Sequence, residues 1–322
     1  MDKVLGIGNA LVDIMTRLED ESLLEQYQLP KGSMQLVDQE FSQKLTAATK
    51  DLNRQQASGG SAANTIHGLA RLGVNTGFIG KVGPDELGTF FLEDMKLAGI
   101  DPRLFKSQTD SGRAIALVSP DSERTFATFL GAAVELSPED LTPQLFEGYQ
   151  YLHLEGYLIQ NHELMKRAFE LAREKGLQVS LDLASFNVVE ANLDFLRTFV
   201  KEYVDILFAN EEEAKAFTGK EPEAALDELA NLCKIAIVKV GKEGSFIKQG
   251  TDKHRIKPIS AQPVDTTGAG DAYAAGFLYG LVHQKGLDQC GSIGSVLAGK
   301  VIEVIGAKMD DSKWKEIEEL ID

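Results

Sequence analysis

The chain of 322 residues has two cysteines, one tryptophan and no long apolar run. Cys233 and Cys290 have no metal-ligand spacing, which argues against a paired cysteine metal site, and a reduced, cytoplasmic protein is expected. No run approaches the ~20 residues of a membrane span. The N-terminal MDKVLGIGNALVDI lacks the basic leader and cleavage site of a signal peptide. Basic charge is scarce as well: 33 Lys and Arg against 49 Asp and Glu leave a formal net charge of −16. That balance argues against a nucleic-acid or anionic-membrane partner. It leaves room for a phosphate ligand, which a few local donors can hold. Nucleotide signatures are missing too. There is no GxxxxGK[ST] loop, and GIGNAL fails as a dinucleotide fingerprint because Leu11 stands where a small residue is required. A zinc-protease helix and a serine elbow are also absent.

What is present is an ordinary globular balance, 43% apolar and 25% charged. Residues 4–7, 179–183, 206–209 and 235–240 read as buried strands, and 162–174 as an amphipathic helix. Strands alternating with such helices predict an α/β fold, with a doubly wound, mainly parallel sheet flanked by helices. Two regions interrupt the alternation. One ends in KGSMQLVD, and the other holds RAIALVS and RTFATFL around a turn at 120–123. They predict a small antiparallel lid sheet made of 14–37 and 103–130, over a main domain made of 1–13, 38–102 and 131–322. The last thirty-odd residues read as helices, with Trp314 a packing residue.

Five short motifs carry the chemistry. In DTTGAGDAYAAGF, Gly268, Ala269 and Gly270 bring bare backbone to a helix start, where free N–H groups and the helix dipole suit a transferring phosphate. Asp271 beside them could accept a proton from an attacking hydroxyl; the plainer reading is a carboxylate stabilising the first helical turn. In GGSAAN, Gly59 and Gly60 precede Asn64, whose amide can both donate to and accept from a hydroxyl, or the segment is a glycine turn and cap. Asp13, beyond the strand 4–8, could accept two hydroxyls or be a turn residue. Asn210 and Glu213 in NEEE could hold magnesium through waters, or cap a helix. Gly241 and Gly244 in VKVGKEG could let a nucleotide lie along the backbone, or simply turn the chain.

In this order, the early G-x-x-x-x-D, GGSAAN, NEEE, VKVGKEG and DTTGAGDAYAAGF resemble the ribokinase-like (PfkB) family of carbohydrate and nucleoside kinases, over nearly the whole chain. The resemblance implies transfer of the ATP γ-phosphate to a substrate hydroxyl with Mg²⁺. It implies Asp271 as base and residues 268–270 as anion hole. Asp13, Gly59, Gly60 and Asn64 would hold the acceptor. Asn210, Lys239, Gly241, Gly244 and Thr266 would meet the nucleotide, with Glu213 organising Mg²⁺. Asp265 and Thr267 match positions that in some members support a monovalent cation such as K⁺. GIGNALVDI and the lid segments look more like the adenosine kinases of that family, placing Met34, Leu36 and Arg124 near the acceptor. GGSAAN is closer to the sugar-kinase form, and Met34 stands where adenosine kinases commonly have a polar residue. The expected reaction is therefore adenosine to AMP, with ribose, fructose or 2-keto-3-deoxygluconate as alternative acceptors. A monomer or homodimer binding only small molecules is expected.

Overall fold

The computed structural model describes residues 3–121 and 123–321. Among the described residues, fourteen strands form two sheets. In chain order they are β1 (Lys3–Ile7), β2 (Leu11–Arg17), β3 (Met34–Leu36), β4 (Arg54–Gly59), β5 (Asn75–Val82), β6 (Asp101–Lys106) and β7 (Gly112–Val118). They continue as β8 (Arg124–Phe129), β9 (Tyr151–Glu155), β10 (Gln178–Asp182), β11 (Ile206–Asn210), β12 (Ile235–Lys239), β13 (Ser245–Gln249) and β14 (Asp252–Ile256).

The large sheet runs β14-β13-β12-β11-β10-β9-β1-β5-β6, with every pair from β12 to β6 parallel and β13 and β14 antiparallel at one end. Its strands are apolar on both faces because helices cover both. Alternation sends Ile206 and Phe208 of β11 into one core with the helices Ser61–Arg71, Ala269–Val282 and Leu287–Val301. Leu207 and Ala209 enter the opposite core beneath the helix His162–Glu174. Trp314 is buried in the first core, as its reading as a packing residue predicts.

The small sheet, β3-β8-β7-β2-β4, differs from expectation in three ways. It is mixed, since β2 pairs with β7 and β3 with β8 in parallel. It has a fifth strand, β4, from the 38–102 segment expected in the main domain. Finally, β6, with its residues 103–106 expected in the lid, is an edge strand of the large sheet. The turn expected at 120–123 includes Ser122, which lies outside the described residues, as do Met1 and Asp2. One face of the small sheet packs Ile115, Leu117 and Ala127 with Leu45 of the helix Gln39–Ala48. The other face presents Leu11, Asp13, Met34, Leu36, Phe126 and Thr128 to a cavity. Asp13 is thus a residue within β2, not a loop residue beyond β1.

Candidate active site

The cavity, about 1150 Å³, lies between the small sheet and the C-terminal ends of β1, β9, β10, β11 and β12. From β1 the sheet order runs one way to β5 and β6 and the other way to β9, so the strand order switches there. Such a switch opens a crevice beyond the strand ends. The polar residue at the end of each strand beyond it faces the cavity: Glu155 on β9, Asp182 on β10, Asn210 on β11 and Lys239 on β12.

Asp271 sits in the first turn of the helix Ala269–Val282. Ser61 Oγ donates to its Oδ1 at 2.7 Å and Asn64 Nδ2 to its Oδ2 at 3.0 Å. Burial pushes its pKa up to about 6 against these two donors and Lys239, with Asp182 adding to the rise. It is therefore ionised at neutral pH and basic enough to take a proton. Asn64 Oδ1 is buried without a partner among the described residues, an acceptor left for a ligand hydroxyl.

Gly268 caps the helix with φ +74°, and a Cβ there would lie 2.6 Å from the Ala307 side chain. A Cβ at Gly270 would lie 3.1 Å from Lys239 Nζ, so the lysine ammonium stands beside the bare helix start. The Gly270 and Asp271 amides have no acceptor among the described residues, as expected of the first helical turn. Ala269, expected with its neighbours in the anion hole, differs: its amide donates to the Thr266 carbonyl at 3.2 Å.

Asp13 accepts no hydrogen bond from the described residues, and a Cβ at Gly59 would lie 2.4 Å from its carboxyl atoms. Burial raises its pKa to about 6 against Lys308, and Asp271 adds to the rise. Gly60, at φ +102°, passes so close to the Asn9 carbonyl that a Cβ would approach it to 2.2 Å. Buried Glu155 ties these two loops together. It accepts from Asn9 N at 3.0 Å, Asn9 Nδ2 at 2.7 Å and Ala62 N at 2.9 Å, and burial lifts its pKa to about 7.

At the other end, Asn210 and Glu213 form a reciprocal helix cap. Asn210 N and Nδ2 each donate to a Glu213 oxygen at 2.8 Å, and Glu213 N donates to Asn210 Oδ1. Each carboxylate oxygen of Glu213 thus has one protein donor, and Mg²⁺, which keeps much of its water shell, would be held there through water. Burial and neighbouring Asp182 raise its pKa to about 7, while Lys239 opposes. Lys239 donates to Asp182 Oδ2 at 2.8 Å. Burial works against its charge, but Asp182 and Glu213 outweigh that and raise its pKa. No cluster of three or more His, Cys, Asp or Glu suited to a metal occurs among the described residues. Beyond Gly241 and Gly244, the wall is apolar: Pro258, Ile259, Ala261 and Ala298.

Most residues singled out in the sequence line this one cavity: Asp13, Met34, Leu36, Gly60, Asn64, Asn210, Glu213, Lys239, Gly241, Gly244, Thr266, Thr267 and 268–271. Gly59, Arg124 and Asp265 do not. Arg124 of β8 instead forms an ion pair with buried Asp265 and donates to Thr267 Oγ1 at 2.5 Å. Asp265 further accepts from Thr267 N and Gly306 N, each at 2.6 Å, so its oxygens are met by protein donors. Sequence reasoning missed Ser61, Glu155, Asp182 and Lys308. Only Ser61 carried a signal, a hydroxyl one helical turn before Asn64.

Comparison with known proteins bears on the family and the fold. The description "pfkB family carbohydrate kinase" matches residues 35–314. An uncharacterized sugar kinase from Archaeoglobus fulgidus is 31% identical over 75% of this chain and 96% of its own. A 5-dehydro-2-deoxygluconokinase from Clostridium botulinum is 27% identical over 85% and 86% of the two chains. The crystal structure of adenosine kinase from Sinorhizobium meliloti superposes with a TM-score of 0.87 at 34% identity, covering 99% of both chains.

Proposed function

The chain belongs to the pfkB family of carbohydrate kinases and is a sugar or nucleoside kinase acting on a hydroxyl group, and from that premise we propose that its acceptor is a nucleoside, phosphorylated at the 5′-hydroxyl of adenosine. The observation that carries this reading is the two-sided acceptor end of the cavity. Asp13 and the unpartnered Asn64 Oδ1 offer acceptors to ribose hydroxyls, while Met34 and Leu36, 56% and 62% exposed, offer an apolar face to a purine. Similarity to the Sinorhizobium meliloti protein supports the same choice.

ATP with a divalent ion, Mg²⁺ in this reading, supplies the γ-phosphoryl group. Asp271 takes the acceptor's hydroxyl proton as that oxygen bonds to the γ-phosphorus and the bond from phosphorus to the ADP oxygen breaks. Ser61 and Asn64 hold the Asp271 carboxylate in place. The Gly270 and Asp271 amides and the Lys239 ammonium meet the charge on the transferring group. Asn210 and Glu213 would hold the metal ion through water, and it would neutralise phosphate charge there; Thr266, Gly241, Gly244 and the apolar wall receive the nucleotide. Arg124 already supplies positive charge to Asp265, so the reading needs no potassium. The small sheet, built from β2, β3, β4, β7 and β8, acts as the lid that keeps water from the γ-phosphate.

A second reading, a sugar kinase with the same mechanism, is favoured by the GGSAAN form and by the Archaeoglobus and Clostridium relatives. ADP release with adenosine, other nucleosides, ribose, fructose and 2-keto-3-deoxygluconate separates the two. The proposal expects adenosine to give the highest kcat/KM; a sugar outpacing every nucleoside would overturn it.

A further inference from the structure

Behind the cavity floor lies a buried charge without a direct partner. Residues 306–308 close on the loop that carries the helix start. The Gly306 amide donates to Asp265 Oδ2, and the Ala307 side chain packs on Gly268. Next along the chain, Lys308 has its Nζ shielded from solvent, with no hydrogen bond or ion pair among the described residues. Carboxylates act on it from three elements: Asp94 on the helix Glu86–Leu97, Asp13 on β2 and Asp271 on the helix Ala269–Val282. His67, on the helix Ser61–Arg71, also feels it and is neutral, because burial, Lys308 and Arg71 push its pKa to about 2. Asp94 already accepts from the Ser58 amide at 3.0 Å, and Asp271 accepts from Ser61 and Asn64. Asp13 alone of the three accepts nothing from the described residues.

Resting on the reading of Asp13 as the acceptor-binding carboxylate, we propose that Lys308 is a positioning residue whose set-back ammonium keeps Asp13 ionised while leaving both its oxygens open to substrate hydroxyls. A lysine in contact would occupy an oxygen that the acceptor needs, whereas one held back supplies only its field. Without that field burial dominates. It already lifts Asp13 to about 6, with Asp271 adding to the rise, and Lys308 is the leading opposing charge. A protonated Asp13 would give up one of its two acceptor oxygens to its own proton. The dependence runs both ways: burial lowers Lys308 to about 8, and Asp94, Asp13 and Asp271 resist that fall.

The test is an NMR titration of the substrate-free protein labelled with ¹³C at aspartate carboxyls, with the Asp13 signal assigned by its loss in Asp13→Asn. In folded Lys308→Met the Asp13 midpoint is expected to rise by at least one pH unit, roughly tenfold in the protonation constant. Lys308→Arg is expected to restore it. An unchanged midpoint in folded Lys308→Met would overturn the proposal. Should Lys308→Met not fold, the Asp13→Asn variant decides, because coupling is reciprocal. Its Lys308 ε-ammonium is expected to titrate below the wild-type midpoint of about 8, and an unmoved midpoint would overturn the proposal. Neither readout needs turnover, so a failed acceptor panel and a failed Lys308 assignment remain distinct. In kinetics, Lys308→Met is expected to raise acceptor KM at pH 7, about twofold for a one-unit shift of Asp13 and more for a larger one, and to converge on wild type at pH 9, where Asp13 is ionised in both proteins. An equal rise at both pH values would make Lys308 a packing residue only.

Discussion

Asp271 divides its carboxylate between Ser61 and Asn64, and the same asparagine leaves its carbonyl oxygen unpartnered. One amide thus orients the base and still has an oxygen for the acceptor, so base and hydroxyl share a support. Asp13 depends on a different kind of neighbour, the missing side chain of Gly59. We expect Gly59→Ala to displace the Asp13 carboxyl, because the new Cβ would sit 2.4 Å from it. Steady-state kinetics should then show acceptor KM raised at least about tenfold with ATP KM little changed; a rise confined to ATP would place Asp13 at the wrong substrate. These positions were legible in the sequence because glycine pairs beside Asn and Asp are unusual and specific. Glu155 and Asp182 were not. Each is a single acid ending an apolar strand, and only the sheet order makes such ends converge.

At the scale of elements, the helix Ala269–Val282 is buried nearly all round and presses against the helix Leu287–Val301 through glycine. A Cβ at Gly276 would lie 2.7 Å from the Ile293 carbonyl and 2.8 Å from Gly294 Cα. Backbone cannot yield as a side-chain tip does. Gly276→Leu should therefore destabilise the protein by about 1–3 kcal/mol or more, read as a lower urea midpoint. It should also lower kcat, because the helix carries Asp271 on its first turn. The central strands were legible from apolar runs, and the helix 162–174 from its periodicity. The small sheet was harder. Its β4, RQQASG, has no large apolar residue, so it lacks the apolar alternation that marks a strand. β2 and β7 are separated by roughly ninety residues of chain, so nothing local sets their relative direction.

Across the whole molecule, the site gathers carboxyls that burial holds above their ordinary pKa: Asp13 and Asp271 at about 6, Glu155 and Glu213 at about 7. A raised carboxyl binds more proton when folded than when unfolded, so its contribution to stability falls as pH rises through that interval. For Asp271 the interval runs from 3.8 to about 6. Asp271→Asn removes this penalty. Its unfolding free energy should match or exceed that of wild type by a margin that widens from pH 4 to pH 6 and then stays level, on the order of 1–3 kcal/mol at the plateau, read from urea midpoints. A margin independent of pH would mean that Asp271 is not a buried ionised group. The arrangement fits a site that holds charge ready for a substrate at some cost in stability.

The same variant gives the most direct test of the chemistry. ADP formation by Asp271→Asn, at saturating ATP and adenosine and pH 7.5, is predicted to fall by about 10² or more, while ATP affinity measured by calorimetry stays near wild type. Turnover close to wild type, with ATP bound normally, would contradict Asp271 as the base that readies the acceptor hydroxyl.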